Sequence, residues 1–277
     1  MQFADDTTIT LSSHSLITLI NNYEVVIKLV NDYFTNLELC LNVSKTKCML
    51  FGKNLEASKE LLSKAGIQTV DFVKFLGIYI DEKMTWNIQI QKLTSMLASM
   101  KYLMSRARKV LSLEAKKSLY YAHISSHLNY NILAWGNSSS SHDIMVGQKS
   151  VLRAMFGLGK RDTCKAHFKT YRIMTSAAMF ILENVKLVKE NENDFMQFKN
   201  AHSYSTRNCS NIQRSTVGSE LHCDSTCTLA AKLFNRLPKE LKKIDCRNIF
   251  VRKTKEFLME KAYYTVREFL DDESVVN

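Results

Sequence analysis

Breakers are scarce in this sequence. One proline, Pro238, and 8 glycines serve 277 residues, so few sharp turns are encoded and long helices should dominate after a β-rich start. There is no Gly/Ser or Pro tract. A chain that is 45% hydrophobic and 23% charged can bury a core, which excludes wholesale disorder. No uncharged apolar run reaches the ~18 residues needed to cross a bilayer, so no membrane partner is expected. A leader is missing as well: Met1 runs straight into Phe3-Ala4-Asp5-Asp6, without a basic stretch or an apolar core. The 7 cysteines are scattered, odd in number and include no Cys-X2-Cys pair. Reduced thiols in a cytoplasmic or nuclear protein fit that usage, and a secreted disulfide framework does not.

What the chain has is positive charge. Lys and Arg total 38 against 27 Asp and Glu, a formal net charge of +11. A surplus of that sign suits a polyanionic partner, because each phosphate neutralised releases condensed counterions. The cations gather in two places. Lys92, Lys101, Arg106, Arg108, Lys109, Lys116 and Lys117 are opposed only by Glu114. Lys149, Arg153, Lys160, Arg161, Lys165, Lys169 and Arg172 are opposed only by Asp162. An acidic run, Asp271-Asp272-Glu273, lies near the end. Each basic cluster is either a solvated helix face or a phosphate-binding surface, and charge alone does not choose between them.

Along the chain, β pattern gives way to α. Residues 1–11 read as strand, tight turn, strand. Over 15–39, apolar residues recur at Leu16, Leu19, Ile20, Tyr23, Val26, Ile27, Val30, Phe34 and Leu37. Spacings of three and four predict an amphipathic helix packed on a sheet. Segments 39–42 and 48–51 predict a hairpin or a pair of short strands, and 72–81 predicts another β element around Leu76-Gly77. Beyond Trp86 the pattern predicts helices over 86–110, 113–134, 143–156, 170–188, 227–237 and 248–270. The polar stretch 190–225 reads as a long loop or linker. The fold class is α+β, turning to mostly α.

The sharpest chemical feature is Asp5-Asp6. Adjacent carboxylates in a strand-turn-strand can hold magnesium, a hard cation that takes oxygen ligands and keeps positions open for phosphates. Two such ions ~3.5–4 Å apart stabilise both the attacking and the leaving oxygen of an in-line phosphoryl transfer. Alone, the dipeptide is also a common turn pair; its context is more specific. After Phe3-Ala4-Asp5-Asp6 come Leu39-Cys40-Leu41-Asn42-Val43-Ser44-Lys45-Thr46, then Phe75-Leu76-Gly77 with Trp86 beyond it. Leu119-Tyr120-Tyr121-Ala122-His123-Ile124 follows, running through Leu128-Asn129-Tyr130 to Trp135-Gly136, and Phe234-Asn235-Arg236-Leu237-Pro238 comes last. In that order these segments resemble the (Tyr/Phe)-X-Asp-Asp hairpin, the Leu-X-X-Asn-X-X-Lys-Thr segment, the Phe-Leu-Gly primer hairpin, the helical region and the C-terminal signature of one family. That family is the reverse transcriptases of non-LTR retrotransposons, the LINE-type mobile elements. The likeness is greatest to jockey-like elements and covers most of the chain.

The resemblance implies an RNA-directed DNA polymerase, a nucleotidyltransferase that uses Mg2+ and deoxynucleotides to copy an RNA template from a DNA primer. It makes Asp5 and Asp6 catalytic metal ligands, with Asp5 the more direct one. It sets Lys45 near the phosphates of the incoming nucleotide, as a proton donor to the leaving pyrophosphate. Phe3 stands where tyrosine is usual, keeping the aromatic packing and losing a hydroxyl. Leu76 and Gly77 take the primer-contacting turn, where glycine permits close backbone approach. Lys92, Lys101, Arg106, Arg108 and Lys109 then track the backbone of the RNA–DNA duplex without reading its sequence. By the same resemblance, 1–85 is a partial palm, 86–189 a helical thumb and connection, and 190–277 a polar linker with C-terminal helices. The family's third palm aspartate and its fingers lie upstream of the Asp pair. They have no counterpart here, so the expectation is a fragment that is inactive alone. A non-catalytic nucleic-acid-binding remnant and a helical interaction module remain as alternatives. Cys209, His222, Cys223 and Cys227 have a metal-like composition. Adjacent His222-Cys223 suits one tetrahedral site poorly, so no zinc is assigned.

Overall fold

The structure, a computed structural model, describes residues 2–3, 6–42, 44–52, 54–191 and 226–273. It is mostly helical with short antiparallel hairpins, an α+β composition. The chain divides into two compact units, 1–85 and 86–277. None of the described helices is long and apolar enough to cross a membrane.

In the first unit, β1 (Gln2–Phe3) and β2 (Asp6–Thr7) pair antiparallel, with Phe3 opposite Asp6. Helix α1 (Leu16–Asn36) follows, where the three-and-four spacing predicts it. Its predicted face is half-buried at Leu16, Leu19, Ile20, Tyr23, Val26, Ile27, Val30 and Phe34, while Leu37, just past the helix end, is exposed, and no residue of α1 is fully buried. Among the described residues, neither the hairpin nor the pair of short strands expected over 39–42 and 48–51 forms. Instead the Asn42 side chain accepts hydrogen bonds from the Lys45 backbone N–H at 3.2 Å and from Ser44 Oγ at 2.7 Å. Such local bonds offer the backbone an alternative to a ladder. The β pairing that remains there is a parallel bridge between Cys48 and Thr69. A helix that periodicity does not assign, α2 (Leu55–Lys64), comes next, and Leu62 is its buried residue. Strands β3 (Phe72–Phe75) and β4 (Ile78–Asp81) close the unit as an antiparallel hairpin with Phe75 opposite Ile78. Lys59 ties α2 to this hairpin, sitting 2.6 Å from both Asp71 and the buried Glu82. Asp81 accepts from Thr85 N at 2.8 Å, which fixes the exit of the chain.

The second unit is helical around one core. Its long helices are α3 (Asn87–Ala107) and α7 (Ser141–Phe156), packed side by side. Gly147 lets them approach: a Cβ there would stand 2.8 Å from Leu97 Cδ1. The continuous helix expected over 113–134 is broken. It becomes α4 (Leu113–Tyr120), a π-helical turn (Tyr121–Ser125), α5 (Ser126–Asn129) and α6 (Ile132–Trp135). Asn131, at φ 48°, makes the last break, in a left-handed conformation that asparagine tolerates better than most residues. The helix expected over 170–188 is likewise displaced. α8 (Lys165–Thr170) ends before Arg172, at φ 54°, and α9 (Ser176–Glu190) starts after Thr175, whose Oγ1 accepts from Ala178 N at 3.1 Å. α9 is the central helix, buried at Ala178 through Leu182 and again at Val185 and Val188. Around the core lie α10 (Thr226–Asn235), α11 (Lys239–Lys242), α12 (Arg247–Lys261) and α13 (Val266–Asp271). The single helix expected over 248–270 splits at Ala262, φ 51°, and resumes after Thr265, which caps Glu268 N at 3.0 Å. Trp135, Tyr120, Phe168, Phe180, Phe250 and Phe269 are fully buried.

Candidate nucleic-acid interface

Asp6 lies in a hairpin, where it pairs antiparallel with Phe3. Both Phe3 and Asp6 are exposed, and Asp5 lies outside the described residues. An exposed carboxylate in a hairpin is the hard oxygen donor that magnesium takes. Among the described residues no group of three or more His, Cys, Asp or Glu that could hold a metal ion gathers. Lys45 is exposed in the Asn42 turn, held by its backbone N–H.

Leu76 and Gly77 form the two-residue connection between β3 and β4. Their φ values are 44° and 89°. Positive φ at both positions is what a type I′ hairpin turn requires, because its twist matches that of the flanking strands. Glycine takes that conformation freely, but for leucine it is an outlier that stores strain. Strained backbone persists where surrounding structure over-determines it and clusters at ligand-contacting sites.

In the second unit Lys92, Lys101, Arg106, Arg108 and Lys109 are all exposed. They do not share a face. At about 100° per residue, Lys92 and Lys101 lie half a turn apart around α3. The other cluster approaches the end of that helix. A Cβ on Gly157, just past α7, would overlap the Arg108 guanidinium, so Arg108 lies against the start of the loop carrying Lys160 and Arg161. The one acid of that stretch, Asp162, is engaged in its own turn, accepting from Gly159 N at 2.7 Å. Arg153 donates to the Asp162 carbonyl at 3.1 Å. Lys165 is drawn away to Glu268 at 2.5 Å, and Lys149 stands 5.0 Å from the Tyr264 ring centre.

Three residues here carry no signal in helical periodicity. Phe156 and Tyr171 stack with centroids 4.1 Å apart at 10°, and His167 lies 5.3 Å from Phe156. The signal that finds them is interleaving, since aromatic residues alternate with the cations of the second cluster. Cys209, His222 and Cys223 lie outside the described residues, while Cys227 is a free, exposed thiol. Comparison with known proteins found no matching family model, no matching curated protein and no matching solved structure.

Proposed function

We propose that this chain is part of an RNA-directed DNA polymerase of the non-LTR retrotransposon kind, and that its nucleic-acid-gripping surfaces outlast its chemistry. The observation that carries the reading is the antiparallel Phe3–Asp6 pairing, which leaves the Asp6 carboxylate exposed on a hairpin strand, where it can offer oxygens to metal-bound phosphates. The strained Leu76–Gly77 turn supports it, because its tip offers backbone to a nucleic-acid end. Asp5 and Asp6 would hold magnesium, which supplies charge stabilisation to a phosphoryl transfer. Lys45 offers a mobile ammonium to phosphate oxygens, and Arg106, Arg108 and Lys109 neutralise the duplex backbone.

Two carboxylates in one hairpin supply only part of the ligand set that two metal ions share, so the 277 residues alone do not polymerise. Purified chain on a primed RNA template is expected to incorporate no deoxynucleotide above background. Templated incorporation that vanishes in Asp5→Ala and in Asp6→Ala would overturn that statement. The same protein is expected to bind an RNA–DNA duplex with or without a magnesium chelator. Replacing Arg106, Arg108 and Lys109 with alanine should lower the salt slope by up to about 3, at ~0.9 per phosphate contact. Equal affinity and equal slope in the variant would count against the grip.

A second reading, a nucleic-acid-binding protein without catalysis, is favoured by the exposure of Phe3 and Asp6 on a hairpin that no third strand joins among the described residues. Duplex binding that is indifferent both to magnesium and to Asp5→Ala fits this reading as well. Restoration of incorporation by an added upstream palm segment separates the two.

A further inference from the structure

We propose that the corner between α7 and α8 is a single-stranded nucleic-acid site, in which a base stacks on the Phe156–Tyr171 platform and phosphates meet Lys160, Arg161, Lys169 and Arg172. It is separate from the hairpins and from the duplex grip assigned to the α3 cations, and it stands whether or not the chain descends from a polymerase.

The corner joins two features that single-strand binding requires. The first is a π surface that is neither sealed in the core nor isolated. Phe156 and Tyr171 are parallel at 4.1 Å, His167 tilts against both, and each ring stays half-buried. A stack of this kind can be extended by a further planar ring, and every base has a face to offer. The second feature is cation supply. Lys169 and Arg172 flank Tyr171 in the chain, and Lys160 and Arg161 follow Phe156 by one short loop. All four are exposed, and none forms an ion pair among the described residues. The nearby Asp162 is occupied by the Gly159 N–H.

Backbone geometry braces the platform. Arg172 adopts φ 54°, a conformation costly for a side chain of its kind, and its carbonyl accepts from Tyr121 Oη at 3.0 Å. That bond ties the end of the corner to the π-helical turn. An intact duplex presents its phosphates but keeps its base faces stacked inside, so the platform favours unpaired bases. An acidic peptide would use the cations and leave the rings idle.

The test is fluorescence anisotropy of the full chain with an oligouridylate, with a blunt RNA duplex of equal length, and with a single strand carrying a fluorescent purine analogue that is quenched on stacking. The single strand should bind more tightly than the duplex and the analogue should be quenched. Tyr171→Leu should weaken single-strand binding about ten-fold and abolish the quenching. Tyr171→Phe should preserve both. Lys160→Ala with Arg161→Ala, two exposed loop positions whose loss leaves the core intact, should lower the single-strand salt slope by about 1.4, at ~0.7 per phosphate. Wild-type quenching in Tyr171→Leu, or equal single-strand and duplex affinity, overturns the proposal. So does binding of a polyglutamate peptide that displaces the RNA without any quenching having been present. Loss of duplex binding in the Arg106, Arg108 and Lys109 variant bears on the polymerase reading alone.

Discussion

Leu76 carries a backbone cost. At φ 44° it occupies a turn position where asparagine or glycine is the unstrained choice. Leu76→Asn is expected to raise stability by about 1 kcal/mol, the usual cost of left-handed geometry for an ordinary side chain, read as a shift of the urea midpoint. If the leucine is kept for its contact with a nucleic-acid end, the same variant binds a recessed primer end less well while being more stable. A variant no more stable than the parent would show that the turn is not strained. Two tyrosines make the other residue-scale prediction. Burial pushes the Tyr120 hydroxyl up from its ordinary 10.0, and Tyr263 is pushed up by burial and by its 2.7 Å hydrogen bond to the Asp272 carboxylate. A folded-state pKa above the unfolded one means that the stabilisation is complete below about pH 10 and is lost as pH rises beyond it. Alkaline melts followed by circular dichroism should therefore show a steep loss above about pH 10, shallower in Tyr120→Phe with Tyr263→Phe. An unchanged slope in that double variant would assign the loss to other groups.

Between elements, one buried amide joins three segments. Gln148 of α7 is wholly enclosed; its Nε2 donates to Tyr120 Oη at 2.7 Å and to the Met174 carbonyl at 2.9 Å, and its Oε1 accepts from Ser176 N at 2.8 Å. Gln148→Ala leaves those partners unpaired beside a cavity and should cost about 3 kcal/mol in urea unfolding. A loss below about 1 kcal/mol would mean that water or rearranged neighbours replace the amide. What the sequence makes legible follows from the same division between local and tertiary causes. α1, α3 and α7 announce themselves because their core-facing residues repeat at helical spacing. Both motif hairpins are legible because Phe3-Asp6 and Phe75-Ile78 pair across two residues. The breaks at Asn131, Arg172 and Ala262 are not, because non-glycine residues there adopt positive φ under tertiary constraint. Asn42 could have warned against a hairpin over 39–51, since its side chain closes a turn locally. The meeting of the two basic clusters at Gly157 and the Phe156–Tyr171 stack depend on α3, α7 and α8 coming together, which no local pattern reveals.

Across the whole molecule, burial is lopsided. Among the described residues the buried apolar side chains before Trp86 are Leu62, Ile67 and Ile78, while the rest belong to 86–277. The first unit also leaves Ile17, Val25, Leu29 and Tyr33 of α1 exposed at 73%, 59%, 62% and 61%. Apolar side chains left exposed in this way stabilise nothing until they are covered, and apolar area removed from water is the main term opposing chain entropy. With so little of it, 1–85 has no reserve, whereas 86–277 has a continuous core around α9. Residues 86–277 expressed alone should therefore unfold in urea at the midpoint of the full chain. Residues 1–85 alone should show a broad transition of low amplitude and bind a hydrophobic dye. A sharp, dye-free transition in the short fragment would mean that β3–β4, α2 and the Lys59 ion pairs are sufficient for a cooperative unit. A lower midpoint for 86–277 would overturn the expectation that its own core is sufficient.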